Sequence, residues 1–418
     1  MVAIAEFSNY EEYCSSGVKW LGDIPATWGI IKTKYIFKIG RGRVISQQEL
    51  IEDGAYPVYS SQTKNNGVLG YISSYDFDCD QITWTTDGAN AGTVFLRQGK
   101  HNCTNVCGTL QPRKPDDVSL SFLSYSLSIA AQFYKRPDTN GAKIMNGEMA
   151  EIFITYPPLK SQISIAKFLD KKTAQIDDAI AIKKKQIALL IERKQIIIQK
   201  SVTQGLDPNV PMKDSGVEWI GKIPNHWELK KIKYITKILK RIVGFEGPEV
   251  LSITQKGIKI KDVESGEGQL AMDYSKYQIV DIGDFAMNHM DLLTGYVDIS
   301  KFEGVVSPDY RVFVNTSKEV DDEFLLSIFQ LGYQQKIFYR YGQGVSLLGR
   351  WRFPADNFNN FFIAIPPKEE QIQIVTYIRE QWNGVDNSIA LLKEQIEKLQ
   401  NYRSTLINNA VTGKIKVA

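Results

Sequence analysis

The chain has 418 residues, 43% hydrophobic and 23% charged, with a formal net charge of +3. That balance excludes wholesale disorder and leaves room for two to four domains with real cores, and the small positive excess favours a polyanionic partner only weakly. Four cysteines in so long a chain exclude a disulfide framework, and with no run of about 18 apolar residues and no signal-like N-terminus a cytoplasmic protein is expected.

Residues 16–39 read SGVKWLGDIPATWGIIKTKYIFKI and return at 215–238 as SGVEWIGKIPNHWELKKIKYITKI, 14 identities in 24 positions at a constant offset of 199. Trp20 and Trp219, Pro25 and Pro224, Trp28 and Trp227, and Tyr35 and Tyr234 hold the frame. Rigid aromatics spaced by Gly and Pro predict a packed turn and strand; base stacking is the alternative reading.

Two inserts follow these blocks and do not resemble each other in sequence. The first, 40–156, predicts strands at 58–59, 67–72, 81–85 and 93–96 and a helix at 120–134. The second, 239–365, predicts strands at 250–253, 277–280, 295–299 and 310–314 and a helix at 323–338. Each reads as an α+β globule.

Recognition chemistry sits on their turns. YSSQTKNN at 59–66 supplies Ser60, Ser61, Gln62, Thr63, Lys64, Asn65 and Asn66; TWTTDGAN at 83–90 supplies Thr85, Thr86 and Asn90; Lys143 adds a cation. The second insert offers Thr254, Gln255, Lys256, Asn288, His289, Arg340, Arg350 and Arg352. Asn and Gln can pair in bidentate fashion with adenine, Lys and Arg with guanine, and hydroxyls serve phosphates. For any one of them, a surface turn without ligand is the competing reading. Cys79, His101, Cys103 and Cys107 are weighed as a zinc site, but the usual two-residue spacer is absent and buried structural thiols are the plainer reading.

After each insert comes a proline pair and a long apolar-seamed stretch. Residues 163–202 contain no Gly and no Pro, with Ile176, Ile180, Ile187, Leu190 and Ile197 at helical spacing; Val385, Ile389, Leu392, Ile396, Leu399 and Leu406 repeat the seam. From 157–203 to 366–412 there are 15 identities in 47 positions at an offset of 209. One greasy seam cannot stand alone in water, so two copies predict mutual cover as an antiparallel coiled coil about 40 Å long; helices of a larger bundle are the alternative. The first stretch is basic, nine cations to four carboxylates over 163–203. Blocks in the order A, X, B, A, Y, B predict a near two-fold, circular arrangement.

No reaction centre is legible. The proline pairs, Tyr156-Pro157-Pro158-Leu159 and Ile365-Pro366-Pro367-Lys368, lack the residues that hold a flipped adenine. Gly40-Arg41-Gly42 and Gly342-Gln343-Gly344 fall short of any nucleotide-binding loop.

The Trp-Leu-Gly-x-Ile-Pro-x-x-Trp block at 20–28, its copy at 219–227, the proline-led helices and the Val411-Thr412-Gly413 ending resemble the specificity subunits of type I restriction-modification systems. The resemblance covers essentially the whole chain. It implies two target recognition domains, 1–156 and 207–365, each reading one half of an asymmetric bipartite DNA site, and two helical spacers, 157–206 and 366–418. It also implies a chain without catalysis or bound cofactor, docked to two methyltransferase subunits and to motor-nuclease subunits. Those partners would hold S-adenosylmethionine, ATP and Mg, for adenine N6 methylation and cleavage of unmethylated DNA. Lengthening the helix near Gln204 should then change the gap between half-sites and not the half-sites. A scaffold whose inserts bind proteins or sugars, and a methyltransferase with a disguised site, are the rival readings.

Overall fold

The computed structural model describes residues 7–139, 141–245, 247–263, 271, 273–344 and 351–417. The chain divides into two compact units, Met1–Lys183 with Lys393–Ala418, and Lys184–Leu392. The repeat suggests four segments (1–156, 157–206, 207–365, 366–418); packing instead groups each recognition insert with half of each long helix.

Those helices are Leu159–Gln204 and Lys368–Val411. Each starts behind its proline pair, because a residue preceding proline avoids the helical region. Each also begins on a buried glutamine clamp. Gln162 donates from Nε2 to the Pro157 carbonyl (2.9 Å) and accepts from Ser119 N (3.0 Å). Gln371 donates to the carbonyls of Pro366 (2.8 Å) and Glu319 (2.9 Å) and accepts from Asp321 N (2.8 Å). Ser119 and Asp321 in turn cap the helices Leu120–Tyr134 and Asp322–Gln334, so one amide ties two helix starts together in each unit.

Each long helix ends on a glycine at positive φ, Gly205 (+75°) and Gly413 (+72°), the usual left-handed stop. A Cβ at Gly413 would lie 2.3 Å from Pro25, and one at Gly205 would lie 3.3 Å from Trp227. The repeated Trp and Pro residues are therefore the sockets that receive helix ends, and Trp28 and Trp227 are core.

The two helices run antiparallel inside each unit. In the first, Asp177 meets Arg403 (3.1 Å) and Lys183 meets Gln395 (2.6 Å). In the second, Lys194 pairs with Asp386 (2.8 Å) and lies 4.3 Å from the Trp382 ring centre. Of the seam residues, Ile176, Ile180, Val385, Leu399 and Leu406 are buried, and Ile187, Leu190, Ile197, Ile389, Leu392 and Ile396 are half-buried. The sequence seam overlooked Ile198, Val202, Ile374 and Ile378, which join the core of the second unit, and Ile407 in the first.

The inserts share a sheet. In the first unit an antiparallel sheet runs in the order Val94–Arg97, Gln81–Thr85, Cys107–Pro112, Phe37–Arg41. In the second the order is Val297–Ile299, Phe285–Met287, Arg311–Asn315, Thr236–Leu239. Taken along the chain, both place the first strand at an edge beside the last. The first unit adds a sheet in the order Val68–Ile72, Tyr56–Tyr59, Lys100–Cys103, Phe77–Asp78, with its central pair parallel. The helix expected at 323–338 is broken: Asp322–Gln334 stops, Lys336 takes φ +55°, and Ile337–Arg340 restarts. The break folds Phe338 back on Gly332, where a Cβ would lie 2.4 Å from the ring.

Candidate nucleic-acid interface

In the first unit the ends of several strands converge. Strand Phe37–Arg41 delivers Arg41, whose Nη2 lies 3.4 Å from Thr86 Oγ1 and 3.5 Å from Met145 Sδ. Gly42 is required by a close approach, since a Cβ there would lie 2.0 Å from the Cys103 carbonyl oxygen. Its amide donates to Cys107 O (3.1 Å), and that of Arg43 to Cys103 O (3.1 Å). Gly40-Arg41-Gly42 is therefore a strand pressed against the 103–107 turn and not a free loop. Across that turn, Thr104 Oγ1 donates to Ser60 Oγ (3.2 Å), which brings in the 60–67 loop.

That loop is held open by an arginine the sequence reading overlooked. Arg97 is 1% exposed; it donates from Nε to Thr83 Oγ1 (3.1 Å) and from Nη1 to the Asn66 carbonyl (2.8 Å). Its guanidinium carbon sits 3.6 Å from the Tyr59 ring centre, and burial lowers its pKa. Above it, Asn65 and Asn66 adopt φ +49° and +51° in succession, a conformation Asn tolerates better than most residues but at a cost. Thr63, Lys64, Asn65 and Asn66 are exposed, Ser60, Ser61 and Gln62 are half-buried, and Gln62 donates to the Val68 carbonyl.

Thr85 and Thr86 lie elsewhere than a reading surface. The strand Gln81–Thr85 is buried throughout between two neighbours; Thr86, also buried, donates to Val106 O (3.1 Å). They form the wall behind Arg41. Asn90 is exposed on the adjacent turn, and Lys143, paired in register with Asp87, makes an ion pair with Asp138 (2.9 Å).

His101 uses both ring nitrogens, one on the Gln81 amide (2.8 Å) and one on the Gly99 carbonyl (2.8 Å). Burial raises the Cys107 thiol to about 11 and that of Cys103 further, and Gln111 donates to Cys79 Sγ (3.7 Å). No metal-holding group of His, Cys, Asp and Glu occurs among the described residues.

In the second unit a hairpin, Leu251–Thr254 with Gly257–Ile260, exposes Gln255 and Lys256 at its tip. Thr254 closes the turn, donating to Gly257 O (2.8 Å) and accepting from Lys256 N (3.1 Å). Gln255 borders a cleft of about 280 Å³ with Tyr296, Tyr333 and Lys336. A larger cleft, about 440 Å³, is lined by Ser252, Lys261, Tyr277, Asn288, Asp291 and Tyr310 among others. Its wall is fixed by Tyr333, whose hydroxyl donates to the Asn288 carbonyl (2.7 Å).

Next to it, His289 is pushed down to about 3 by burial first, then by Arg311 and Arg352. The structure so joins Asn288, His289 and Arg352. Arg340 stands apart, paired with Glu218 (2.8 Å), and Arg350 lies outside the described residues. A histidine kept neutral in the folded state costs stability once the unfolded chain can take up its proton. Below the unfolded value of about 6.5 stability therefore falls with falling pH, by at most about 2 kcal/mol at pH 5. Comparing urea midpoints at pH 7 and pH 5 for wild type and His289→Gln checks this; an unchanged pH response in the variant would refute it.

Two faces of unlike composition, each framed by the same sheet order, suit the reading of two unlike ligand halves. The family profile described as the type I restriction modification DNA specificity domain matches this chain twice, over residues 25–193 and 225–401. The chain belongs to that type I specificity family. A putative type I specificity subunit (N-terminus) from Mycoplasma pneumoniae is 44% identical over 140 residues, covering 33% of this chain and 74% of that protein. A second from the same organism is 36% identical over 160 residues, 36% of this chain and 52% of the relative, so the match spans about half of its length. The MjaVIII specificity subunit of Methanocaldococcus jannaschii is 26% identical across 100% of this chain and 99% of its own.

A solved structure concerned with complex assembly and conformational transition of the type I R-M system shares the fold, with TM-score 0.64 at 11% identity over 93% of this chain and 98% of that one. As a specificity-family member the chain has two recognition inserts, which accounts for their unrelated loops on matched sheets. Among the described residues no helix is long and apolar enough to cross a membrane.

Proposed function

We propose that this specificity protein reads an asymmetric bipartite site in double-stranded DNA, one half per unit. In the first unit Asn65, Asn66, Lys64, Asn90 and Arg41 would face the DNA; in the second, Gln255, Lys256, Asn288 and Arg352. The observation that carries this is the pairing of one repeated sheet frame with two unlike sets of amides and cations, exposed except for the half-buried Asn288, the residue types that read base edges. The chain would act in the cytoplasm without catalysis of its own. It would direct two methyltransferase subunits that hold S-adenosylmethionine for adenine N6 methylation, and motor-nuclease subunits that use ATP and Mg. An apolar groove of Leu189, Leu190, Leu391 and Leu392 in the second unit would contribute to docking them, since exposed apolar surface on a helix pair favours cover by protein.

The test is an exchange. With residues 40–156 replaced by the first insert of another family member, sequencing of methylated adenines should show one half-site changed and the other retained. Loss of both, or neither altered, would defeat the reading. Salt-independent or absent duplex binding by the wild-type complex would favour a protein-binding scaffold.

A further inference from the structure

The turn after the strand Phe285–Met287 carries chemistry that the residues named so far leave unused. Leu292 is buried, and Leu293 beside it is 53% exposed. A lone exposed leucine is ordinary on a folded protein. This one is set apart by how firmly its turn is held and by what surrounds it.

The Asp291 carboxylate accepts from Leu293 N (2.9 Å) and Thr294 N (3.0 Å), and Gly295 N donates back to the Asp291 carbonyl (2.9 Å). A Cβ at Gly295 would lie 2.1 Å from that carbonyl oxygen, so the turn requires its glycine. Leu292 N donates to the Trp351 carbonyl (3.1 Å), and Tyr333 holds the carbonyl of Asn288. Leu293 is thus presented to solvent on a rigid base, with little left to order when something covers it.

Two other elements bring groups to the same place. Gln255, on the hairpin tip, and Lys336 border one cleft of about 280 Å³ with Leu293. The hairpin is tied to the strand Val297–Ile299 through Asp298, whose Oδ2 accepts from Ile258 N (3.1 Å). Lys336 occupies the left-handed break between Asp322–Gln334 and Ile337–Arg340, a conformation that costs backbone energy for a lysine and leaves its side chain exposed. Gln334, two residues earlier, donates to the Tyr296 hydroxyl on the cleft wall (3.2 Å).

No carboxylate lines this cleft, whereas the larger one has Asp291 and Asp309. An amide, an apolar group and a cation without an anion form the set that fits one A·T pair in the major groove. Adenine offers N7 and its N6 amino group to an amide, thymine offers its C5 methyl to apolar surface, and the adjoining strand offers phosphate. A G·C pair has no methyl to cover.

We propose that Leu293 and Gln255 together read one A·T pair of the second half-site, Leu293 against the thymine methyl and Gln255 against the adenine edge, with Lys336 on a neighbouring phosphate; this rests on the function proposed above and adds the identity of one base pair. The insert exchange assigns a half-site to the second unit. Duplexes in which each thymine of that half-site is replaced in turn by uracil differ from the native site by one methyl group. The wild-type complex should bind one of them about fourfold more weakly, the factor for one methyl left in water. The Leu293→Ala complex should bind that duplex and its thymine parent alike. Gln255→Ala should lose about fivefold or more of its preference for A·T at the same pair. Lys336→Asn, which keeps a residue tolerant of positive φ, should weaken all duplexes alike and lower the salt slope by about one. All three side chains are exposed, so melting temperatures should stay at the wild-type value. A half-site in which no uracil weakens the wild type, or in which Leu293→Ala stays as sensitive as the wild type, overturns the proposal. So does a Leu293→Ala complex that binds every duplex more weakly and bends it less, which would make the leucine a wedge between base steps. A wild-type complex without sequence preference for any duplex overturns the parent reading instead.

Discussion

Replacing Arg97 with alanine is expected to abolish discrimination at the half-site read by the first unit while leaving the other half-site intact. Arg97 is the floor of the 60–67 loop: its guanidinium holds the Asn66 carbonyl and the Thr83 hydroxyl and lies flat on Tyr59. Without it, the carbonyl and hydroxyl lose their donor, at about 1–3 kcal/mol for each group left buried and unpaired. A cavity also remains under the loop.

Part of that loss is offset, because burying a guanidinium without a carboxylate was itself unfavourable. A net destabilisation of about 3 kcal/mol is expected. The functional consequence is larger than the stability one. Asn65 and Asn66 hold left-handed conformations, and if they read bases as proposed, releasing the clamp would cost each such contact about 1–3 kcal/mol, or roughly tenfold to a hundredfold. Sequencing of methylated adenines from cells carrying Arg97→Ala reads both halves at once. Retained specificity in the first half would show that the clamp does not organise the reader.

Phe329→Ala should be the most destabilising single change in the second unit. Phe329 is fully buried, stacked at 5.7 Å and 7° on Phe358 and edge-on to Phe313 at 5.1 Å, with Phe285 and Phe338 at 6.3 and 6.1 Å. Truncating such a ring costs about 3–5 kcal/mol from lost transfer energy and cavity, and the aromatic contacts add about 0.5–1.5 kcal/mol per pair. The melting temperature of that unit should fall by on the order of 10 °C. Phe285 begins the strand Phe285–Met287 that leads into Asn288 and His289, so the second half-site should weaken with it. Calorimetry of the full chain is the check; a shift of the second unit's transition under about 2 °C would show that the cluster repacks around the void.

The frame of this protein was legible in its residues. Apolar positions three and four apart, without an interrupting proline, dictate long helices with one seam, and the copy at an offset of 209 told which helix could cover which. The paired Trp and Pro of the first block announced core because rigid aromatics between glycines pack, as Trp28 and Trp227 do. Most insert strands also fell where β-branched runs ended in Gly or Asn, for example Gln81–Thr85.

Tertiary structure alone decided the rest. That two inserts without sequence likeness share one sheet order could not be read locally, since Phe37–Arg41 pairs with Cys107–Pro112 across a long intervening stretch and backbone ladders accept many side chains. The 60–67 loop, proposed to read DNA, stood out by composition, but Arg97, which holds it, looks in sequence like any surface cation at a strand end. Only the fold buries it. Likewise Thr85 and Thr86 carry the right chemistry and are walled in by neighbouring strands, because alternation in sequence says nothing about what a sheet's second face will meet. Local periodicity fixes elements and their partners of like kind; burial, and with it the choice of which polar groups face a ligand, belongs to contacts between residues far apart in the chain.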